Sequence, residues 1–337
     1  MKLFIFGSTG DLVKRKVLSA LQELQLKNLE VYAVGRKNFT DETYGEFACD
    51  ENCSLSFKKS LKYIQINYDS DFICEECMAH LDEAGVNYFY LALPPKLYPK
   101  IIQSAANFIQ QGYKIMLLVE KPLGENHSHF KEIYDLIKKE KLEKNIFLSD
   151  HYLFKNNIKE LKKHNFSEIK IISTEKIGLE GRTNYYDSIG ALKDMVQSHF
   201  LNILFRISEH PININDLEIV KYVRAQYNDY VKDLGRESGT ETFIYLQLKE
   251  KSKNITLITG KSLDKKSFEI EIDGKKIKNE HENSYKHLFK DFFKGKKDNF
   301  PTLEETELSW KILELIKNKK TQLRYYKEGE KWEQIIN

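Results

Sequence analysis

The first half of the chain alternates short apolar runs with helical patterns. Apolar runs that predict strands cover residues 3–6, 31–34, 63–66, 88–93, 115–119 and 146–148. Between them, apolar residues at helical spacing cover residues 11–26, 74–83, 97–111 and 126–141. Apolar strands that alternate with helices are typical of a parallel sheet covered on both faces. The pattern therefore predicts a doubly wound α/β domain over residues 1–155.

The order of predicted strands and helices changes after residue 155. Predicted strands cover residues 168–174, 217–224, 242–248, 255–260 and 268–272, with one helical segment at 190–207 among them. The last helical patterns lie near residues 283–294 and 303–317. Consecutive strands without intervening helices indicate an antiparallel sheet flanked by helices. Residues 156–337 are therefore predicted to form an α+β substrate-binding domain with a largely antiparallel sheet.

Length and charge narrow the class of protein. The 337 residues suit two domains better than one core. The 53 basic residues nearly balance the 50 acidic ones, and no long block of like charge marks a nucleic-acid or membrane surface. No segment approaches the ~18 consecutive apolar residues that can span a bilayer. We expect a cytoplasmic protein that binds a small molecule, with no nucleic-acid and no membrane partner.

The four cysteines are Cys49, Cys53, Cys74 and Cys77, in one C-x3-C pair and one C-x2-C pair. Four thiolates at such spacing can ligate zinc, so the sequence leaves a structural zinc site open. The segment around the second pair also reads as the start of a helix, where both cysteines would be small buried apolar groups. We expect reduced thiols and no metal site, as is usual for a cytosolic chain.

The first predicted strand runs into a glycine turn, Gly7-Ser8-Thr9-Gly10-Asp11-Leu12, just before the first helix. Glycine permits close backbone approach, and the free N–H groups of a helix start suit an anionic pyrophosphate. Two glycines at this spacing are a weak motif alone. Their position in a β-α-β unit makes the domain a candidate Rossmann-like dinucleotide-binding domain.

The second predicted strand ends in Gly35-Arg36-Lys37. Sites that prefer NAD commonly place an acidic residue here, against the ribose hydroxyls. A basic pair suits a 2′-phosphate, so Arg36 and Lys37 favour NADP as the cofactor and leave NAD possible. The alternative interpretation is a solvated basic pair on the surface.

Two later strands of this domain end in polar side chains at the edge where ligands of doubly wound sheets bind. Lys121, in the segment EKPLG, is a candidate donor to a substrate hydroxyl and to the nicotinamide amide, or a solvated lysine in a turn. The next strand runs into DHYLFK, where Asp150 is a candidate partner for a histidine base. Its neighbours His151, Tyr152 and Lys155 are donors suited to a phosphate dianion.

The segment EGRTNYYDSIGALKDMVQSH, residues 180–199, is dense in polar groups. It contains Glu180 and Arg182, the tandem Tyr185-Tyr186-Asp187, then Asp194 and His199. The apolar residues between 191 and 204 fit one buried face of a helix, so His199 lies beside that face. A neutral imidazole there is a candidate proton acceptor, and the alternative is a core histidine with satisfied hydrogen bonds.

In these segments the chain resembles the glucose-6-phosphate dehydrogenase family. The matching segments, in the family's order, are FGSTGDLVKRK, YLALPP, EKPLG, DHYLFK, GLEGRTNYYDSIGALKDMVQSH, RAQY with SGTETF, TGKSLDKK, SYKHLFKDFFKGKKDNF and ELSWKIL. They span nearly the whole chain. DHYLFK with GALKDMVQSH is specific, whereas EKPLG is shared with other sugar dehydrogenases.

The resemblance implies a role for each matching residue. The family's general base falls on His199, and the carboxylate that orients it falls on Asp150. The implied substrate contacts are His151, Tyr152 and Lys155 at the phosphate, Glu175 and Asp194 at sugar hydroxyls, Lys121 between the C1 hydroxyl and the nicotinamide, and the basic Lys16, Lys261 and Lys266. The implied dinucleotide site comprises Gly7, Ser8, Gly10, Asp11, Leu12, Arg36 and Lys37, with Lys121 and with Pro94 in the loop beside it.

The implied reaction is oxidation of C1 of glucose 6-phosphate to the lactone, with hydride transfer to NADP. Family members are typically longer and form homodimers through a large sheet, which here is contracted after Lys155 and after Ile272. Phe154, where the family usually has glycine, lies inside the predicted phosphate segment. These departures leave two alternatives open: a dehydrogenase of a different sugar or sugar phosphate, and a catalytically silent protein that binds NADP or sugar phosphate.

Overall fold

A computed structural model describes residues 1–49, 53–68, 75–159, 161, 163–179, 181, 183–277 and 283–337. The strands are β1 (Lys2–Phe6), β2 (Glu30–Gly35), β3 (Leu61–Gln65), β4 (Val86–Leu91), β5 (Lys114–Val119), β6 (Ile146–Leu148), β7 (Glu168–Thr174), β8 (Leu217–Tyr227), β9 (Phe243–Glu250), β10 (Lys253–Gly260), β11 (Ser267–Ile272), β12 (Lys275–Ile277) and β13 (Leu323–Tyr326). The α-helices are α1 (Leu18–Leu24), α2 (Asp41–Ala48), α3 (Leu55–Ser60), α4 (Glu75–Met78), α5 (Tyr98–Gln110), α6 (His127–Lys139), α7 (Asn156–Lys159), α8 (Thr183–Asp187), α9 (Leu201–Ile207), α10 (Tyr230–Leu234), α11 (Ser284–Phe293), α12 (Leu303–Asn318) and α13 (Trp332–Ile335).

The chain divides into two compact units. The first comprises Met1–Lys155 with Glu282–Glu307, and the second comprises Asn156–His281 with Leu308–Asn337. The division at residue 155 stays a prediction as a domain boundary, and the units differ from it in one respect. Helix α11, which the sequence analysis assigned to the second domain, is part of the first unit, where Phe292 and Phe293 pack on the ring of Tyr88.

The first unit is built on a six-stranded parallel sheet in the order β3-β2-β1-β4-β5-β6. Leu3 to Phe6 in β1 are completely buried, as expected of a central strand covered on both faces. The strand order reverses between β1 and β4, and ligands of such sheets bind at this reversal, outside the carboxyl ends of the strands. The predicted Rossmann-like fold is confirmed.

The second unit contains a seven-stranded sheet in the order β12-β11-β7-β10-β9-β8-β13. Four of its six pairings are antiparallel, which confirms a largely antiparallel sheet. The pairings of β7 with β10 and of β8 with β13 are parallel, so the sheet is mixed. The short strands β12 and β13 were not predicted, because a few residues with several polar side chains give no clear period.

Several helices also differ from the sequence prediction. The predicted helix over 190–207 is π-helical from Leu192 to Phe200 and α-helical only in α9. The predicted helix over 74–83 is reduced to α4 among the described residues. Helix α2 was missed, although it begins with a capping box in which the Thr40 hydroxyl accepts the Thr43 N–H at 3.2 Å. In the described part of the chain, no helix is long and apolar enough to cross a membrane.

The cysteines do not follow the expectation of reduced thiols throughout. Cys49 and Cys53 form a disulfide, with their Cα atoms 5.5 Å apart, within the usual range for such a bond. Cys77 is buried and is not part of that disulfide, and Cys74 lies outside the described residues. The zinc site that the sequence left open includes Cys74, so the expectation of no metal site stays a prediction.

The glycine turn after β1 lies against the end of β4. Gly7 has a φ of +82°, and a Cβ added there would overlap the carbonyl oxygen of Ala92, which follows β4. Its N–H donates to the Val34 carbonyl at 3.1 Å and to the Tyr68 hydroxyl at 3.2 Å. The turn is therefore fixed by its neighbours, and no other residue type fits at this position.

We expect Gly7→Ala to lower the free energy of unfolding by more than about 2 kcal/mol, because a left-handed alanine costs about 1–2 kcal/mol and the new Cβ must also displace Ala92. Gly112→Ala is the matched control, since Gly112 has a φ of +97° but open space around it. Urea unfolding followed by far-ultraviolet circular dichroism measures both variants. Equal losses for the two would contradict the close approach.

Candidate active site

The predicted dinucleotide-binding residues begin in the turn between β1 and the first helical segment. Gly10 N–H donates to the Gly7 carbonyl at 3.0 Å and closes the turn, and the Tyr44 hydroxyl holds the Ser8 carbonyl at 3.1 Å. The hydroxyl oxygen of Ser8 is fully buried, yet it has no hydrogen-bond partner among the described residues. A buried hydroxyl without a partner indicates a group that is satisfied by a ligand or water.

Other predicted dinucleotide residues flank this turn. Asp11 forms an exposed ion pair with Arg15, 2.8 Å from its Nε, and Leu12 is half-buried just before the π-helical segment Val13–Val17. Pro94 caps the short 3₁₀ helix that leads from β4 into α5, where Leu97 N–H donates to its carbonyl at 3.0 Å. Lys16 is exposed on the π-helical segment.

Arg36 and Lys37 follow the carboxyl end of β2, and both are exposed. Their backbone carbonyls accept hydrogen bonds from Gln65 at 3.2 Å and from the Tyr63 hydroxyl at 2.7 Å. The ammonium groups of Lys37 and Lys14 lie 5.1 Å and 4.0 Å from the centroid of the Phe47 ring. This loop therefore presents positive charge at the edge of the sheet.

Glu120, at the end of β5, is a buried carboxylate that the sequence analysis did not single out. It accepts hydrogen bonds from the hydroxyls of Tyr90 in β4, at 2.8 Å, and Ser149 after β6, at 2.7 Å. The Tyr98 hydroxyl donates to its backbone carbonyl at 2.8 Å. Burial raises the pKa of Glu120. The side-chain hydrogen bonds from Ser149 and Tyr90 and the charge of Lys121 oppose that rise. This network positions Lys121, whose peptide bond to Pro122 is cis.

The segment after β6 forms a short 3₁₀ helix over His151–Phe154. The carboxylate of Asp150 caps it by accepting the Tyr152 N–H at 3.0 Å, and this side chain is 1% exposed. The imidazole of His151 lies 4.9 Å from the Tyr152 ring, and the ammonium group of Lys155 lies 4.1 Å from that ring. The structure thus brings the three predicted phosphate donors together.

The remaining aromatic neighbours of this segment come from distant parts of the chain. The ring of Tyr285 in α11 stacks on His151, with centroids 5.2 Å apart and an angle of 15°. Phe154 is completely buried against Phe300, with centroids 4.7 Å apart. The ring of Phe154 therefore packs in the core of the first unit. No local sequence signal reveals Tyr285, because its contact depends on where α11 packs.

In the second unit, His199 lies near the end of the π-helical segment and is 1% exposed. Asp194 lies on the same segment and is half-buried. π-helical turns are rare and are frequent at functional sites. Glu180 and Arg182, which precede this segment, lie outside the described residues.

Glu175 and Lys261 follow the carboxyl ends of β7 and β10, which are parallel neighbours. The ammonium group of Lys261 donates to the Glu175 carboxylate, and Glu175 N–H bonds the Gly260 carbonyl at 2.9 Å. The structure brings this predicted pair together. Lys266 lies in the exposed loop before β11.

Two family models match the chain. The model described as glucose-6-phosphate dehydrogenase, NAD binding domain, matches residues 4–160, and the model of the C-terminal domain of the same enzyme matches residues 152–222. The glucose-6-phosphate 1-dehydrogenase of Helicobacter pylori, strain J99, is 30% identical over 73% of this chain and 68% of its own length. The chain belongs to the glucose-6-phosphate dehydrogenase family.

Two solved structures show the same fold. Glucose-6-phosphate 1-dehydrogenase from Mycobacterium avium has a TM-score of 0.84 at 21% identity, over 98% of this chain and 94% of its own. A glucose-6-phosphate dehydrogenase in complex with its substrate glucose-6-phosphate has a TM-score of 0.80 at 22% identity, again over 98% and 94%. The resemblance drawn from the sequence segments is therefore confirmed, and the first unit carries the NAD(P)-binding domain of this family. The roles of the individual residues stay predictions.

The Glu120 network yields a prediction for the pH dependence of stability. A carboxyl whose pKa is higher in the folded protein stabilises it at low pH, and this contribution is lost as the pH rises from about 4.5 through the raised value. Glu120→Gln removes the titration. We expect the free energy of unfolding of the wild type, relative to this variant, to fall over that range and then level off.

Urea unfolding at a series of pH values, followed by circular dichroism, measures this difference. Glu132→Gln, which removes an exposed carboxylate of α6, is the control. If the difference in unfolding free energy between wild type and Glu120→Gln does not change with pH, burial does not raise the pKa of Glu120.

Proposed function

We propose that this protein is an NADP-dependent glucose-6-phosphate 1-dehydrogenase, which oxidises C1 of glucose 6-phosphate to the 6-phosphogluconolactone. Membership in the glucose-6-phosphate dehydrogenase family is the observation that carries the proposal. The candidate base His199, its candidate partner Asp150 and Lys121 are all present in the segments that match the family. A catalytically silent protein with the same fold would not need His199, Asp150 and Lys121 together.

The substrate phosphate is assigned to His151, Tyr152 and Lys155. Support comes from their proximity around the Tyr152 ring and from the imidazole, phenol and ammonium donors that they offer to a dianion. A solved relative with the same fold is described in complex with glucose-6-phosphate as its substrate. Because Phe154 is buried against Phe300, the sequence-based reason for a different sugar is weakened.

The sugar hydroxyls are assigned to Glu175 and Asp194, with Lys261 beside Glu175 and the basic Lys16 and Lys266 near the substrate or cofactor. A hydroxyl both donates and accepts, so a carboxylate that is paired with an ammonium group suits it. Lys121 would lie between the C1 hydroxyl and the nicotinamide. The homodimer and the cytoplasmic location stay predictions.

The cofactor is assigned to the turn after β1 and the loop after β2. The buried Ser8 hydroxyl, which has no partner among the described residues, and the glycine that leaves no room for a Cβ fit a backbone approach by a pyrophosphate. Arg36 and Lys37 fit a 2′-phosphate, because no described carboxylate neutralises them. When bound, NADP supplies the acceptor for the C1 hydride.

His199 would accept the proton of the C1 hydroxyl, which leaves an electron pair on that oxygen to form the carbonyl of the lactone as the hydride departs. Asp150 would hold the imidazole in the accepting tautomer and stabilise the imidazolium that forms. Lys121 would donate a hydrogen bond to the same oxygen and orient C1. Burial of His199 supports this assignment, because the imidazole nitrogen that accepts the proton is shielded from hydrogen bonds to bulk water.

We expect wild-type protein to form NADPH with glucose 6-phosphate and NADP, and His199→Asn to lower kcat by about 10²- to 10⁴-fold, the usual contribution of a general base. His210→Asn, at an exposed histidine of the same unit, should match the wild type. Absorbance at the reduced nicotinamide band measures the rate over a panel of sugars and sugar phosphates. A wild type that reduces no cofactor with glucose 6-phosphate would refute the proposal.

We expect Arg36→Ala to lower kcat/KM for NADP by about 10- to 100-fold and to leave kcat/KM for NAD unchanged, because a charged hydrogen bond to a phosphate contributes about 1.5–3 kcal/mol. Lys27→Ala removes an exposed lysine that precedes β2, at the opposite end of that strand, and serves as the control. Parallel decreases for the two cofactors would show that Arg36 does not contact the 2′-phosphate.

A further inference from the structure

A small pocket lies in the second unit at the carboxyl ends of β7 and β10. The polar side chains that line it are those of Ser173, Glu175, Tyr186, Thr242, Thr259 and Lys261. These side chains carry a hydroxyl, a carboxylate or an ammonium group. Such a lining matches a ligand that is rich in hydroxyl groups better than an apolar one.

Tyr186 is the only large aromatic side chain in this lining, and it is 6% exposed. Its hydroxyl has no hydrogen-bond partner among the residues that the structure describes. The other buried tyrosines of this unit are satisfied: Tyr227 donates to Asp233 at 2.9 Å, Tyr230 to Asp187 at 2.9 Å and Tyr326 to the Lys261 carbonyl at 2.7 Å. Because Tyr186 lines the pocket, a ligand there can accept a hydrogen bond from its hydroxyl.

The surroundings of Tyr186 make it a hydrogen-bond donor. Burial, followed by the charges of Asp194 and Glu241, raises the pKa of Tyr186 well above its ordinary value, so the phenol keeps its proton. The ammonium group of Lys261 lies 5.4 Å from the centroid of the Tyr186 ring and donates to Glu175. The pocket therefore offers a phenol donor next to a carboxylate acceptor.

We infer that Tyr186 donates a hydrogen bond to a ring hydroxyl of the sugar phosphate and is a specificity-determining residue of the substrate site. This inference rests on the proposed function, because it takes the ligand to be a hexose phosphate. The acceptor oxygen of that hydroxyl pairs with Tyr186, and its proton is available to Glu175. A substrate that lacks the hydroxyl would leave the phenol unpaired and is disfavoured for that reason.

The test compares Tyr186→Phe with Tyr185→Phe. The two changes remove the same atom from neighbouring tyrosines, and Tyr185 is 65% exposed. Isothermal titration calorimetry measures the Kd of glucose 6-phosphate and of its monodeoxy forms for the wild type and both variants. We expect Tyr186→Phe to raise the Kd of glucose 6-phosphate by about 3- to 10-fold, as expected for one neutral hydrogen bond. Tyr185→Phe should bind like the wild type.

The monodeoxy sugars identify the bond. One of them should bind more weakly than glucose 6-phosphate to the wild type, and this difference should be smaller for Tyr186→Phe, because the variant has already lost the donor that the missing hydroxyl would satisfy. The Tm of Tyr186→Phe without ligand should not fall, since no described residue forms a hydrogen bond with the hydroxyl. A lower Tm would show that the hydroxyl serves packing, and would overturn the inference.

The inference is also overturned if Tyr186→Phe binds glucose 6-phosphate and all its monodeoxy forms as the wild type does, or if the wild type binds no sugar phosphate. Failure of the proposed function gives a different result. A wild type that binds glucose 6-phosphate but reduces no cofactor would refute the dehydrogenase activity, and the comparison of Kd values would still decide the role of Tyr186.

Discussion

The buried carboxylate of Glu120 is the constraint on which the carboxyl edge of the parallel sheet depends, at the ends of β4, β5 and β6. A carboxylate without water must be hydrogen-bonded, and here the donors come from two other strand ends, Tyr90 in β4 and Ser149 after β6. The Tyr98 hydroxyl adds the start of α5 through the backbone carbonyl of Glu120. The ends of three neighbouring strands are thereby held in one arrangement, with Lys121 and Asp150 each one residue beyond a member of this network.

Much of the first unit could be predicted from the sequence. Its central strands are apolar and buried on both faces, so they produced recognisable runs, whereas the edge strand β3 also has the exposed Lys62 and Gln65. The rule for strand ends then placed Lys121 and the segment from Asp150 to Lys155 at one edge. The Glu120 network could not be predicted in the same way. Its donors are neighbours only because β5 lies between β4 and β6, and strand order is a property of the fold.

The second unit was harder to predict for a related reason. Alternating apolar residues identify β7 and β10, but nothing local shows that they pair in parallel while β9 and β10 pair in the opposite sense. The helical pattern that contains His199 was recognised, but its π-helical geometry was not, because both helix types bury a similar stripe of apolar residues. Tyr186 was noticed only as part of a polar segment, since the pocket that it lines forms only when β7 and β10 are paired.

The parallel pairing of β7 with β10 has a consequence for how this chain can vary. Gly260 lies opposite Thr174, so Glu175 and Lys261 leave the sheet side by side. Side chains alternate between the two faces of a strand, and an insertion or deletion of one residue within either strand would send one partner of the ion pair to the opposite face. Changes of length in this family are therefore expected to accumulate in the loops and at the outer strands, whereas the spacing within these two strands must stay constant.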